Sequence, residues 1–491
     1  MKLRKFAFTL AALLLLALCL AGCETNDAIG IKTDAEELTL IVEAEDFEWL
    51  EDYTHLKKLN LNGSTCYDAI EAYIAAHPNV DVTYTVALGD QKLNPNATEL
   101  TLEADDFTLD ELLEKLPHLP QVTKLNLPNI GLTSEEIVTL RETHPDLVLD
   151  YSVELFGKLY TGETTEMNLP GLYPTDLADV IAALKLLPSV TYVELMDENG
   201  QSVLTKENVR ALQDALPNVL IHYTIDLFGR TVSTADETIE YLDLPLDNSA
   251  EAEIRAALDV LQSCTYFKLD DCGIDSTVMA GIRDDYPDVK VVWRIYCGKF
   301  SMCTDETMVR MTFKLDDTNC SELKYCTDVT YMDIGHNEKL YDISFVEYMP
   351  NLECVIVSGA PVKDISYFAN HEKLEFLELV FCGHVKDISC LASCPNLKYL
   401  NISYTKVSDL SPIMELPMER LNCMHTNVGS AQRNAFTKEH PDCLSIWTGK
   451  QPYGYGWRYV DNGLTYNDYY ANMRIVFRYD DKEYTGNYKE R

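Results

Sequence analysis

The chain has 491 residues, of which 46% are hydrophobic, so it is long enough for two or three domains or for one elongated array with a large core. It carries 79 Asp and Glu residues against 40 Lys and Arg residues, a formal net charge of −39. A surface this acidic excludes nucleic acid and anionic lipid headgroups as expected partners, because binding their phosphates requires clustered cations.

Residues 1–22 have the pattern of a secretion signal peptide: three cations precede an apolar run from Phe6 to Leu20. At about 1.5 Å per residue the run is shorter than the bilayer core of about 30 Å. The segment Leu20-Ala21-Gly22-Cys23 resembles the lipobox of bacterial lipoproteins. The resemblance implies cleavage before Cys23, lipidation of its sulfur, and anchoring on the outer face of the cell membrane. Residues 23–36 are then expected to form a lipidated tether.

Residues 37–329 repeat with a period of about 70 residues, which two independent markers follow. The first marker is a turn after a helix, with prolines 67, 72 and 70 residues apart at Pro78, Pro145, Pro217 and Pro287. The second is an apolar residue or cysteine before a glycine, spaced 68, 72 and 69 residues apart at Gly89, Gly157, Gly229 and Gly298. Proline ends a helix and glycine permits a tight strand reversal. Each long unit is therefore predicted to hold two strand-plus-helix halves and a hairpin between them.

Residues 330–443 repeat at a shorter period, with an Asp-Ile-Ser or Asp-Leu-Ser corner every 22 or 23 residues, at Asp342, Asp364, Asp387 and Asp409. Strands such as Leu377-Glu378-Leu379 precede the corners. This pattern resembles the internalin-like leucine-rich repeat. The resemblance implies an α/β solenoid with a continuous parallel sheet, helices or turns on the other face, and hairpin insertions in the long units. One departure is that Ala360, Cys382, Thr405 and Thr426 occupy the position where such repeats usually carry a hydrogen-bonding Asn.

In each strand of the form Leu-x-Leu, the leucines point into the core and the intervening and flanking residues point to solvent. The residues just before the first core position form a column that is mostly aromatic in its second part. The candidate binding face taken from this column comprises Tyr192, Tyr241, Tyr266, Tyr331, Phe376, Tyr399 and Arg420. The alternative is that the column only stabilises the sheet through cross-strand contacts.

Residues 444–491 form a chemically distinct tail, in which 12 of 48 residues are aromatic. The stretch Gly456-Trp457-Arg458, followed by Tyr469-Tyr470, Met473-Arg474 and Val476-Phe477, resembles a terminal segment of some leucine-rich-repeat lipoproteins of Firmicutes. Its candidate site residues are Trp447, Trp457, Arg458, Tyr469 and Tyr470. Two interpretations stay open: the tail covers the last repeat of the solenoid, or its exposed rings bind a glycan or peptide.

Of the 15 cysteines, 13 remain after Cys19 and Cys23 are set aside. Most are expected to be buried free thiols, and the best disulfide candidate is Cys297 with Cys303, which flank a predicted hairpin reversal. The histidines do not converge, and no metal or cofactor motif is present in the sequence.

Together these patterns predict a lipid-anchored, extracytoplasmic repeat protein that binds other proteins, of the host or of bacterial surfaces, and is not an enzyme. No cofactor is expected, and contact with the membrane is expected only through the lipid. A glycan ligand is the first alternative. An enzyme accessory protein, an enzyme of unrecognised type and a structural envelope protein are the others.

Overall fold

The structure, a computed structural model, describes residues 33–102, 107–127, 132–454, 456–460 and 465–487. The predicted signal peptide, Cys23 and most of the predicted tether lie outside these residues. The chain divides into two compact units, Met1–Ile221 and His222–Arg491. Within the described residues, no helix is long and apolar enough to cross a membrane.

The first unit consists of three repeats, each with three short parallel strands. The strands of the first repeat, with its hairpin, are β1 (Glu37–Thr39), β2 (Lys58–Asn60), β3 (Asp81–Thr83), β4 (Val86–Leu88) and β5 (Gln91–Leu93). The later strands are β6 (Glu99–Thr101), β7 (Lys124–Leu127), β8 (Val148–Leu155), β9 (Lys158–Thr161), β10 (Glu166–Asn168), β11 (Tyr192–Glu194) and β12 (Leu220–His222). The helices are α1 (Phe47–Leu50), α2 (Tyr67–Ala76), α3 (Leu109–Lys115), α4 (Ser134–Thr143), α5 (Leu177–Lys185) and α6 (Lys206–Ala215).

The second unit begins with one more long repeat and continues into the short repeats. A hairpin of β13 (Thr224–Leu227) and β14 (Arg230–Ser233) comes first. The long repeat then comprises β15 (Thr238–Leu242), α7 (Glu251–Leu258), β16 (Tyr266–Asp270), α8 (Ser276–Asp285), β17 (Lys290–Cys297) and β18 (Phe300–Cys303). A seven-stranded parallel sheet follows, made of β19 (Met308–Arg310), β20 (Tyr331–Asp333), β21 (Cys354–Ile356), β22 (Phe376–Glu378), β23 (Tyr399–Asn401), β24 (Arg420–Asn422) and β25 (Leu444–Ile446). Short 3₁₀ helices connect most of these strands, and α9 (Ser430–Glu439) and α10 (Asp468–Val476) complete the unit.

The repeat spacing, the parallel pairing and the helices or 3₁₀ turns between strands make this an α/β leucine-rich-repeat solenoid fold, as the sequence predicted.

The third strand of each long unit was not predicted as part of the sheet. In β8, residues 148–151 pair in parallel with β7, and residues 152–155 pair antiparallel with β9. Because the third strand turns into a hairpin in this way, strand pairing among the described residues stops there and begins again in the next unit. The sheet is therefore divided rather than continuous across the long units.

The Asp-Ile-Ser corners begin the 3₁₀ helices. In each corner the aspartate side chain accepts a hydrogen bond from the backbone N–H of the serine two residues later, at 2.8 Å for Asp387 and 2.9 Å for Asp409. These bonds hold the pKa of both carboxyl groups below the ordinary value. At the interior position that Asn usually occupies, Asn337 donates to two backbone carbonyls, whereas Thr405 donates to the carbonyl of Ile402.

The strand register corrects one member of the predicted binding face. Tyr241 was assigned to the outward column, but Thr238 pairs with Tyr266, and Tyr241 pairs with the core residue Leu269. Tyr241 is therefore buried, and its hydroxyl donates to the backbone carbonyl of Leu227 at 2.7 Å. The error arose because the stretch Ile239–Leu242 is apolar at three of its four positions, so the alternation fits either register.

The predicted disulfide between Cys297 and Cys303 is absent, because both cysteines are free thiols. In the hairpin of β17 and β18, Cys297 lies opposite Phe300, and Cys303 lies opposite Arg294. The two cysteines are thus three rungs apart and point to opposite faces of the ladder. The 13 cysteines from Cys66 to Cys443 are all free, and burial raises the pKa of the Cys382 thiol to about 12.

Candidate functional site

The part of the tail (residues 444–491) that the structure describes after β25 packs on the strand-lined face of the short repeats. This face is formed by the outward residues of β19 to β24. The predicted face residues of the short repeats and four of the five predicted tail residues therefore belong to one contact. As a result the polar outward residues of the strands are buried, namely Asp333, Glu378, Asn401 and Asn422.

Glu378 forms the centre of this contact. Its side chain has no exposed surface, and its Oε1 lies 3.1 Å from Nη2 of Arg458. Trp457 donates its indole N–H to Oε2 at 2.5 Å, and the hydroxyl of Ser358 donates to Oε1 at 3.0 Å. A carboxylate in the interior is tolerated only when it is paired and hydrogen-bonded, and here the tail supplies two of the three partners.

Arg458 is held between aromatic rings of the tail as well as by Glu378. Its guanidinium carbon lies 4.1 Å from the ring centroid of Tyr453 and 4.9 Å from that of Tyr470. Burial lowers the pKa of Arg458, but Glu378 and the two tyrosines raise it more, so that the net direction is upward. Arg458 is therefore charged throughout the physiological pH range.

Two asparagines and one arginine of the face bind the tail backbone. The side-chain amides of Asn401 and Asn422 both donate to the carbonyl of Pro452, at 3.1 and 2.9 Å. Arg420 donates through Nη1 to the carbonyls of Gly456 and Trp457, at 3.0 and 3.2 Å. Face residues thus satisfy tail carbonyls that lack sheet or helix partners.

The aromatic residues of the face pack against aromatic residues of the tail. Tyr469 stacks on Phe376 with ring centroids 5.3 Å apart and an interplanar angle of 7°, and it lies 4.4 Å from Tyr399. Trp457 lies 5.4 Å from Phe376. Tyr331 contacts the ring of Phe477 at 5.9 Å, two strands away from Phe376. Within the short repeats, the aromatic residues of the column thus form the packing surface for the tail.

The tail ends its described course beside β18 and β19. Arg310 and Asn487 exchange two hydrogen bonds, from N–H of Arg310 to Oδ1 of Asn487 and from N–H of Asn487 to the carbonyl of Arg310. Gly486 has φ +78°, and a Cβ atom there would lie 2.3 Å from the carbonyl oxygen of Arg310. After β25, which pairs with β24 at the end of the sheet, the described part of the tail thus crosses the face from β24 back to β19. Of the five predicted tail residues, Trp447 packs elsewhere, 6.1 Å from Phe436 of α9.

Besides Tyr241, two predicted face residues precede the short repeats, Tyr192 and Tyr266, and both are half-buried. Tyr192 donates its hydroxyl to Oε2 of Glu194 at 2.8 Å. Tyr266 donates to Oδ2 of Asp305, also at 2.8 Å. Both tyrosines stay at the sheet surface, with hydroxyl groups that are hydrogen-bonded to acidic neighbours.

A second surface, which the sequence analysis missed, follows the carboxyl ends of the strands. We name it the ring ridge; it comprises Phe313, His336, Phe381, Tyr404 and His425. Each member lies five residues after the first residue of its strand and has a left-handed φ between 55° and 71°. Phe313 stacks on His336 with centroids 5.0 Å apart, and Tyr404 lies 4.5 Å from Phe381 and 4.4 Å from His425.

The ring ridge is exposed where the strand-lined face is not. Phe313 is 66% exposed and Phe381 is 48% exposed, although both are large apolar side chains. Gly359 occupies the same position in the repeat between His336 and Phe381, with φ +76° and no ring. These positions recur at the repeat period, so the ridge could have been predicted from the sequence. The sequence prediction considered only the outward positions within the strands, and the ridge lies after the strands.

Comparison with known proteins gives similarity to solved structures only. No protein-family model matches the chain, and no curated protein matches it. An internalin (inlF) from Listeria monocytogenes aligns over 82% of this chain and 78% of its own, with 14% identity and a TM-score of 0.25. A leucine-rich-repeat protein from Leptospira interrogans aligns over 81% and 91%, with 13% identity and a TM-score of 0.24. An internalin C2 from Listeria monocytogenes aligns over 30% and 72%, with 16% identity and a TM-score of 0.21.

We predict that Glu378→Gln destabilises the protein by about 3 kcal/mol, because it leaves the buried Arg458 without a counter-ion. Urea denaturation measures the loss, and limited proteolysis shows whether the tail is released. The matched control is Glu375→Gln, which removes a partly exposed partner of Lys398 at 3.0 Å and should cost less than about 1 kcal/mol. Equal losses in the two variants would contradict the central position of Glu378.

Asp333 should make stability depend on pH. Burial raises the pKa of this carboxyl group, and Glu378 adds to the rise, although the hydroxyl of Tyr479 and the N–H of Gly335 lower it by donating hydrogen bonds. The folded state therefore holds a proton that the unfolded chain has lost. The resulting stability is complete below pH about 4 and is lost as the pH rises through the folded-state pKa.

Asp333→Asn cannot ionise and should lack this decline when the free energy of unfolding is measured from pH 2 to 8. Asp387→Asn is the control, and it should remove a pH dependence of the opposite direction. The pKa of Asp387 is lowered in the folded state, so its contribution to the free energy of unfolding is lost as the pH falls. Parallel pH curves for the wild type and Asp333→Asn would refute the assignment.

Proposed function

We propose that this protein is a non-catalytic binding module, anchored by lipid on the outer face of the cell membrane, and that its partner is a protein. The anchoring rests on the apolar run and the lipobox-like segment that ends at Cys23. The binding function rests on the ring ridge. Because a solenoid fold alone does not specify a function, the ridge is the observation that carries the proposal.

The ring ridge has the physical properties of an interaction surface. Aromatic side chains supply large contact areas and are enriched among the residues that contribute most to binding. Successive rings of the ridge stack on one another, and such stacked side chains lose little further rotamer freedom when a partner covers them. Bulky residues held at left-handed φ are strained, and such strain is concentrated at functional positions.

The charge of the chain limits the chemistry of the partner. With a net charge of −39, the protein repels acidic surfaces and attracts neutral or basic ones. Contacts made by the rings should resist salt, whereas attraction between the charged surfaces should weaken as the Debye length falls from about 10 Å at 0.1 M salt to about 3 Å at 1 M. A glycan is the second candidate ligand, because Phe313, at the edge of the ridge, offers an exposed ring on which a sugar could stack.

We predict that the double variant Phe381→Ala with Tyr404→Ala weakens binding of the protein partner by about 30-fold or more, because two stacked rings at the centre of a contact are lost. The mature chain is first screened against bacterial surface proteins, host extracellular proteins and a glycan array, and the affinity of each ligand found is then measured for both forms. The control is Tyr348→Ala, which removes an exposed tyrosine on the 3₁₀-helix side of the repeats.

Unchanged affinity in the double variant, or an equal loss with Tyr348→Ala, would refute the ridge as the binding surface. Binding that is restricted to glycans would replace the protein partner by the second candidate. Circular dichroism of all variants separates loss of the surface from loss of the fold.

We predict that Cys23→Ala abolishes lipid attachment, because the alanine side chain has no sulfur to form the thioether. Metabolic labelling with a fatty acid and fractionation of the cells measure the result: the wild type should be labelled and sediment with membranes, and the variant should be unlabelled. Cys66→Ala is the matched control, because Cys66 lies in the folded repeats. Labelling that persists in Cys23→Ala would contradict the proposed anchor.

A further inference from the structure

A cluster of metal-ligating side chains lies in the first unit. Asp68 and Glu71 are three residues apart on α2 and therefore share one face of that helix. His118 is the last residue of the 3₁₀ helix that follows α3. The three residues can each offer one ligand atom such that all three atoms lie within 4.8 Å of one another.

The donor atoms match a particular class of metal. One imidazole nitrogen and two carboxylate oxygens can fill three positions of a tetrahedral zinc ion, with water in the fourth. Calcium and magnesium prefer ligand sets made entirely of oxygen, so the imidazole disfavours them. We propose that Asp68, Glu71 and His118 form a Zn²⁺ site that is independent of the ring ridge.

The surroundings of the cluster already orient two of the three ligands. Nδ1 of His118 lies 2.9 Å from Oε1 of Glu71, and the ring of Tyr67 packs on the imidazole with centroids 5.0 Å apart. The hydrogen bond and the ring contact hold the imidazole and the Glu71 carboxylate side by side before an ion binds.

The site is open to solvent on one side and is not blocked by a free cation. The side chains of Glu71 and His118 are 39% and 16% exposed, which leaves access for an ion and a water ligand. Lys115 is the nearby cation, 5.5 Å from the ring centroid of Tyr67. Its ammonium group is paired with Glu114 at 2.6 Å. Binding zinc requires Glu71 and His118 to separate slightly, because two ligands of a tetrahedral zinc ion lie about 3.3 Å apart.

His77 and Glu51 provide an internal comparison. Nε2 of His77 lies 2.9 Å from Oε1 of Glu51, the same separation as in the pair of His118 and Glu71. Among the described residues, no third ligand joins His77 and Glu51 into a metal-binding group. A histidine–glutamate hydrogen bond without metal is thus represented in the same unit, and removing His77 is a matched control.

The experiment uses the full mature chain, treated with chelator and titrated calorimetrically with ZnCl₂, with CaCl₂ and MgCl₂ in parallel. The expected result is one zinc equivalent with a dissociation constant near or below about 1 μM and much weaker binding of the other two ions. His118→Asn and Glu71→Gln should each weaken zinc binding by at least about tenfold, and His77→Asn should leave it unchanged.

Cobalt(II) substitution separates this site from the 13 free cysteines. The proposed ligands contain no sulfur, so the cobalt complex should lack thiolate charge-transfer absorption, and its visible bands should disappear in His118→Asn. Thermal melting confirms that each variant is folded. The proposal is overturned by absent zinc binding, by equal binding in His118→Asn and wild type, by thiolate absorption, or by equal affinity for calcium.

Discussion

A fully buried carboxylate at the centre of a sheet surface governs the structure of the C-terminal unit. Glu378 belongs to the outward side of β22, which would be solvated if the strand-lined face were open. Arg458 and Trp457 from the tail replace that water with an ion pair and a charge-assisted hydrogen bond. Because an unpaired buried carboxylate costs several kcal/mol, the tail can cover Glu378 only by supplying these partners. The tail is therefore an integral layer of this unit.

This arrangement changes the function that can be assigned to the aromatic column. Phe376 and Tyr399 pack on Tyr469, so their ring surfaces are used inside the protein and are not available to a ligand. Both interpretations of the column, sheet stabilisation and ligand contact, assumed that the strand-lined face is open to solvent. The rings of Phe376 and Tyr399 contact the tail of the same chain instead. Rings that remain exposed are found in the loops after the strands, at Phe313 and Phe381. The candidate binding surface thus lies beside the strand-lined face instead of on it.

Features encoded within one repeat were predictable, and contacts between distant segments were not. The Asp-Ile-Ser corners and the core leucines recur every 22 or 23 residues, so spacing alone located the solenoid. Tyr241 was placed on the wrong face because its strand is apolar at adjacent positions and alternation is ambiguous there. The contact from Pro452 to Asn401 spans 51 residues and has no local pattern. The buried position of Glu378 could be inferred only once Arg458 was known to be its partner.

The ring ridge and the tail are physically connected, which has a consequence for binding. Phe381 contacts Tyr453 of the tail with ring centroids 6.3 Å apart, and Tyr453 in turn packs on Arg458, the partner of Glu378. A ligand that covers Phe381 therefore lies next to the residues that hold the tail in place. Since any ligand that binds the docked form better than the undocked form stabilises docking, the partner and the tail should reinforce each other. The tail thus contributes to the candidate binding surface by supporting the ridge at Phe381.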